Sequence, residues 1–190
     1  MLRSSQGPAL TVALWSSTRL VCTSSTRRAP VQLGGVAGAI YRWCGIHSDV
    51  SFADSTKRCL KDIADSLFVR YKGKSSGDDK AVVHCIAPDL RAKPFHPKST
   101  KAKDLALKSL QDCYLQVFKE FVGSHSCTTL RLCPLAGGIF SGEYADDIPA
   151  MTFEAIVLAF DGLSKSARMV LMDRDVHMCI YFDVERPLLR

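Results

Sequence analysis

The heptapeptide AVVHCIA, residues 81 to 87, constrains the fold more than any other stretch. It is a continuous apolar run broken only by His84 and closed by Pro88. A strand without polar alternation is buried on both faces, which is the habit of parallel sheets covered by helices. Parallel strands need crossover connections, usually helical ones. The rest of the chain supplies such helices between its other strand-like runs.

Leu10 to Trp15 and Leu20 to Cys22 are short β-rich runs, read as a strand or turn and then a second strand ending near Cys22. A polar loop follows from Thr23 to Pro30, and Val36 to Trp43 then reads as a helix with Ile40 and Trp43 on one face. Residues 54 to 70 give a further amphipathic helix, with Cys59, Leu60, Ile63 and Leu67 sharing a face. The clearest helix spans Ala102 to Val122, where Leu107, Leu110, Tyr114, Phe118 and Phe121 recur at spacings of three and four. TTLRLCPL reads as a strand and AGGIFSGE as a glycine-rich turn. Ile148 to Leu163 forms a helix with Pro149 in its first turn, and VHMCIYFDV is a terminal strand. Strands alternating with helices predict an α/β fold with three α/β/α layers and a mixed, largely parallel central sheet. The expectation is one domain over residues 1–190, with the first eight or so residues flexible or part of a targeting segment.

Hydrophobic residues at 47% and charged residues at 23% fit a globular chain, and no apolar run reaches the roughly 18 residues of a membrane helix. The net charge of +6 is uneven: the first 48 residues carry +5, all from arginine, before the first acid, Asp49. Such a start has two readings, a mitochondrial presequence or a basic layer of the fold that faces an anion. The eight cysteines form no C-x-x-C pair and read as reduced thiols of an intracellular protein. The expected compartment is cytoplasm or nucleus, with the mitochondrion as the alternative. His125, Cys127 and Cys133 match no standard zinc spacing.

Two stretches bear on chemistry. Gly34-Gly35 precedes the helix at Val36, where outward amides and the helix dipole favour an anion. CPLAGGIFSGE, residues 133 to 143, carries a second strand into a glycine-rich turn. Ligands of open α/β sheets bind outside the carboxyl ends of the strands, so two such turns could hold one diphosphate between them. The plainer reading is two independent tight turns.

In order along the chain, LGGVAGAIYRWCG, VVHCIAPDL, PLAGGIFSGE and MCIYFDVE resemble the blocks of the macro domains, which bind ADP-ribose; SQGPALT near the start is similar to that family's Q-G-D-I-T. The resemblance covers nearly the whole chain. It implies that the amides around Gly34, Gly35, Val36, Ala37, Gly38 and Ile40, and those of Gly137, Gly138, Ile139 and Ser141, wrap the diphosphate and distal ribose. It implies further that Phe140 covers the ribose and that Phe182 packs near the adenine, where a stacked ring is worth on the order of 1–3 kcal/mol.

The departures from the family are selective. Pro8 stands where an acid usually binds the adenine amino group, and Ser25 stands where an asparagine usually orients the distal ribose. Ala136-Gly137 replaces a usual Ser-Thr or Ser-Ala. The leading expectation is a module for ADP-ribose, a related nucleotide or an ADP-ribosylated protein, with weakened or altered affinity. No cofactor, metal, membrane or catalytic set is expected. The alternatives are a hydrolase of ADP-ribose linkages, with Ser25, His47, Asp49 and Asp54 as unconvincing candidates, and a structural subunit with a vestigial pocket. In the last, Arg27, Arg28 or Trp43 would plug the cleft, and the cation-rich loop from Arg91 to Lys103 would meet RNA or an acidic protein.

Overall fold

The computed structural model describes residues 9–16, 35–46, 58–72 and 79–180. Its elements are β1 (Ala9–Ser16), α1 (Gly35–Cys44), β2 (Ser66–Tyr71), β3 (Lys80–Ala87), α2 (Thr100–Gly123), β4 (Thr129–Leu132), a 3-10 turn (Gly142–Tyr144), α3 (Ile148–Asp161), α4 (Lys165–Met172) and β5 (Asp175–Met178). The five strands form one sheet in the order β2-β3-β1-β4-β5. β1 runs parallel to β3 and β4, β4 runs parallel to β5, and β2 alone is antiparallel, paired with β3. The expected α/β class with a mixed, largely parallel sheet is therefore present. Among the described residues no helix is long and apolar enough to cross a membrane.

The AVVHCIA run is β3, and residues Ala81 to Ala87 are all buried. Adjacent side chains on a strand point to opposite faces. Val83 and Cys85 accordingly join the main core with α2 and α3, while Val82 packs with Ile40 and Tyr41 of α1. α2 contributes the longest apolar stripe: Ala106, Leu110, Cys113, Tyr114, Val117, Phe118 and Phe121. Burying a large apolar side chain is worth about 1.5–3 kcal/mol, so this stripe fixes α2 on the sheet. Ser99 caps the helix by accepting the Ala102 amide proton at 3.2 Å.

Several expectations are corrected. Of the helix predicted over 54–70, the described residues from 58 onward are helical only at Arg58 and Cys59, and Ser66 to Tyr71 are an edge strand; 54–57 lie outside the described residues. Asp65 ends that start by accepting amide protons from Lys61 and Asp62 at 2.8 and 2.9 Å, and Ala64 takes a left-handed φ of 72°. Leu67 then pairs with His84 across the sheet rather than with Ile63 along a helix. The helix predicted to Leu163 stops at Asp161, and α4 follows, capped by Ser164 on the Ala167 amide. Of the terminal strand, Asp175 to Met178 form β5 and Cys179 and Ile180 fall outside it; the part from Tyr181 lies outside the described residues, as does the run Leu20 to Cys22.

Candidate functional site

The carboxyl ends of β1, β3, β4 and β5 lie along one edge of the sheet because these four strands are parallel. The chain leaving β1 leads through α1 to β2 and β3 on one side; the chain leaving β4 leads to β5 on the other. β1 and β4 are neighbours, so their carboxyl ends flank the point where the winding reverses, the usual ligand crevice of an open α/β sheet. The segment ending in Gly34-Gly35 leaves β1, and the turn Cys133 to Ser141 leaves β4.

α1 begins at Gly35 with no acid in its first turn. The amides of Gly35, Val36, Ala37 and Gly38 have no acceptor within the helix by construction. Gly38 is buried and Ala37 half-buried. Ile40 sits a turn further in, with its side chain against Tyr41 and Val82. Trp43, offered above as a plug, lies at the opposite end of α1; it is 45% exposed, with Lys80 5.2 Å over its ring and bonded to its carbonyl. Arg27, Arg28, Ser25, Gly34, His47, Asp49, Asp54 and Phe182 fall outside the described residues.

The second turn is held from below. The Tyr114 hydroxyl of α2 accepts the Leu135 amide proton at 2.9 Å and reaches the Cys133 carbonyl at 3.5 Å. Burial pushes the Tyr114 phenol well above its ordinary range, so it stays neutral. Gly137 folds back on Pro134: its amide donates to the Pro134 carbonyl at 3.3 Å, and a Cβ there would sit 2.9 Å from the Pro134 Cβ. Ala136 takes a left-handed φ of 55° to make this bend. Ser141 closes the turn, with its amide and hydroxyl both donating to the Gly138 carbonyl. Between these closures the amides of Gly138, Ile139 and Phe140 take no acceptor among the described residues. Gly138 and Ile139 are exposed, Ile139 by 75%, and a Cβ on Gly138 would meet nothing within 4 Å.

The loop after β3 braces this turn. The Leu90 amide donates to the Phe140 carbonyl at 3.0 Å. Asp89 takes Arg91 through both carboxylate oxygens at 2.8 Å, and the guanidinium lies 4.9 Å over the Phe140 ring. The Arg91 hydrogen bond holds the Asp89 carboxyl below its ordinary range. Sequence reasoning had Phe140 but missed its tie to Arg91 and the role of Tyr114. The signals were present: an acid two residues before an arginine after the strand-ending Pro88, and a tyrosine in a core stripe whose hydroxyl needs a partner.

Free cations expected along Arg91 to Lys103 are mostly committed. Lys98 and Lys103 both pair with Asp147, at 2.5 and 2.8 Å, and His96 pairs with Glu143 at 3.1 Å. That loop is an internal brace, which leaves the expectation of RNA or an acidic protein there without support. No group of three histidine, cysteine or acidic side chains among the described residues is arranged to hold a metal ion.

The chain is similar to a solved macrodomain, a point mutant from Oceanobacillus iheyensis, with a TM-score of 0.51 at 15% identity over 88% of this chain and 82% of that one. The chain therefore has a macrodomain fold. No protein-family model matches it, and no curated protein matches it.

Proposed function

We propose that this chain is a macrodomain-like module that binds ADP-ribose, a related nucleotide or an ADP-ribosylated protein, with weakened or altered affinity. The observation that carries the reading is the row of amides from Gly138 to Phe140, unclaimed among the described residues, on a turn leaving β4, beside β1, with Gly138 and Ile139 exposed. Such amides hydrogen-bond phosphate oxygens without side-chain charge. The first-turn amides of α1 add a second set on the chain that leaves β1. In this reading the two sets grip one diphosphate within a single three-layer domain spanning residues 1–190.

Ser25 and Phe182 keep the roles the resemblance gives them, beside the distal ribose and the adenine. Phe140 would offer the ribose the ring face away from Arg91. Replacing an asparagine by Ser25 and an acid by Pro8 removes two polar contacts. At about 1 kcal/mol or more each, the affinity falls roughly tenfold or further. The reading remains a binding one. The test is a calorimetric titration with ADP-ribose, with ADP and AMP as controls. Saturable heat with ADP-ribose supports it; no heat at millimolar ligand sinks it in favour of a vestigial pocket.

A further inference from the structure

Leu132 and Met178 are the last registered pair of β4 and β5, and a cysteine follows each of them. The Cys179 amide donates to the Leu132 carbonyl at 2.6 Å, the last rung of that ladder, so Cys133 and Cys179 each lie one residue past it. Neighbouring strands lie about 4.8 Å apart. A disulfide spans about 4.4–6.8 Å between Cα atoms, a range that the strand spacing meets if it holds for one more residue, and the Cys133 thiol is close enough to feel the charge of Cys179. Their side chains also share a face. Leu132 belongs to the main core and Met178 packs against it, whereas Cys133 and Cys179 do neither, as alternation along both strands requires.

The two thiols differ in access. Cys133 is 8% exposed, whereas Cys179, one residue past the edge strand β5, is exposed. Burial pushes the Cys133 thiol up to about 11, with the charge of the nearby Cys179 adding to the rise. Another thiol pair lies within the core: Cys85 is hydrogen-bonded to Cys113, but both are 0% exposed and closed to any reagent.

We propose that Cys133 and Cys179 form a reversible thiol–disulfide site at the root of the glycine turn, oxidised by small disulfides of the glutathione class. The exposed Cys179 thiolate attacks one sulfur of the oxidant, forming a mixed disulfide and expelling one small thiolate. The Cys133 thiol then gives up its proton and attacks the Cys179 sulfur, forming the Cys133–Cys179 bond and expelling the second small thiolate. The two cysteines lose two electrons, the oxidant gains them, and the two cysteine protons end on the released thiols. The bond ties the end of β5 to the residue whose carbonyl receives the Tyr114 hydroxyl. The inference stands on strand register and exposure, independently of which ligand the turn accepts.

The test is oxidation of the reduced full chain with glutathione disulfide, digestion without reductant, and mass spectrometry. The expected product is a peptide pair joined through Cys133 and Cys179. In Cys133→Ser, the glutathione adduct on Cys179 should rise at least tenfold over the wild type, because the resolving thiol is gone. Cys179→Ser, a surface change, should abolish the joined peptide while leaving the fold intact. A wild-type chain that keeps glutathione on Cys179 as fully as Cys133→Ser does, or that joins Cys179 to another cysteine, overturns the proposal.

Discussion

The Tyr114 hydroxyl accepts the Leu135 amide proton at 2.9 Å, so a residue of the long core helix holds the first residue past Pro134 in the glycine turn. Both groups are buried, and no water competes for the bond. Removing the hydroxyl strands an amide in the core. Tyr114→Phe is expected to lower stability by about 1–3 kcal/mol in urea denaturation. A change under about 0.5 kcal/mol would show that the turn keeps its shape without this support.

Gly142 has a φ of 53°, and a Cβ there would lie 3.0 Å from the Arg91 Cγ. Strain and crowding act together. Gly142→Ala should cost about 1–2 kcal/mol, read as a fall in Tm. Gly138→Ala, with open space around the added carbon, should leave Tm within a degree or two of the wild type. Equal losses from both substitutions would contradict the geometry of the turn.

His84 is buried between Tyr41, 3.3 Å from Nδ1, and Tyr71, 2.8 Å from Nε2. A neutral imidazole donates through one nitrogen and accepts through the other, so it suits two hydroxyls. Burial lowers its pKa from 6.5 to about 4. Below pH 6.5 the unfolded chain therefore binds a proton that the folded chain refuses. Stability should be full above pH 6.5 and fall as pH drops toward 4, by up to about 3 kcal/mol. The depressed carboxyls of Asp89 and Asp147 act at lower pH, beneath most of this window. Denaturation midpoints measured from pH 7.5 to 4.5 should decline in the wild type and flatten in a folded His84→Gln. A flat wild-type profile would rule out a buried neutral His84.

Ser99 accepts the Ala102 amide proton at the start of α2, in extended backbone with a φ of −151°. Ser99→Ala should cost about 1 kcal/mol by chemical denaturation. No loss would mean that packing of the helix alone fixes its first turn.

The elements that were legible in the sequence are those whose burial pattern has one interpretation. β3 has no polar alternation to mislead, and α2 repeats its apolar stripe over many turns. β2 was misread because Cys59, Leu60, Ile63 and Leu67 happen to fall at helical spacings, while the break at Asp65 depends on two backbone bonds that no periodicity reveals. α4 escaped notice because it is short and its apolar residues Met169 and Met172 are exposed; only Leu171 is buried. At the site, the glycine turn was readable from composition. Its supports were not, since Tyr114, Asp89 and Arg91 reach it through tertiary contacts.

The central claim is that the Gly138 to Phe140 amides hold a phosphate. The most direct measurement is an ADP-ribose titration of the wild type beside Gly138→Val, whose Cβ finds open space in the fold and whose methyls would occupy the anion's approach. The account predicts saturable binding by the wild type, a loss of at least tenfold in Gly138→Val, and matching Tm values for the two. Equal affinity in both proteins would contradict it.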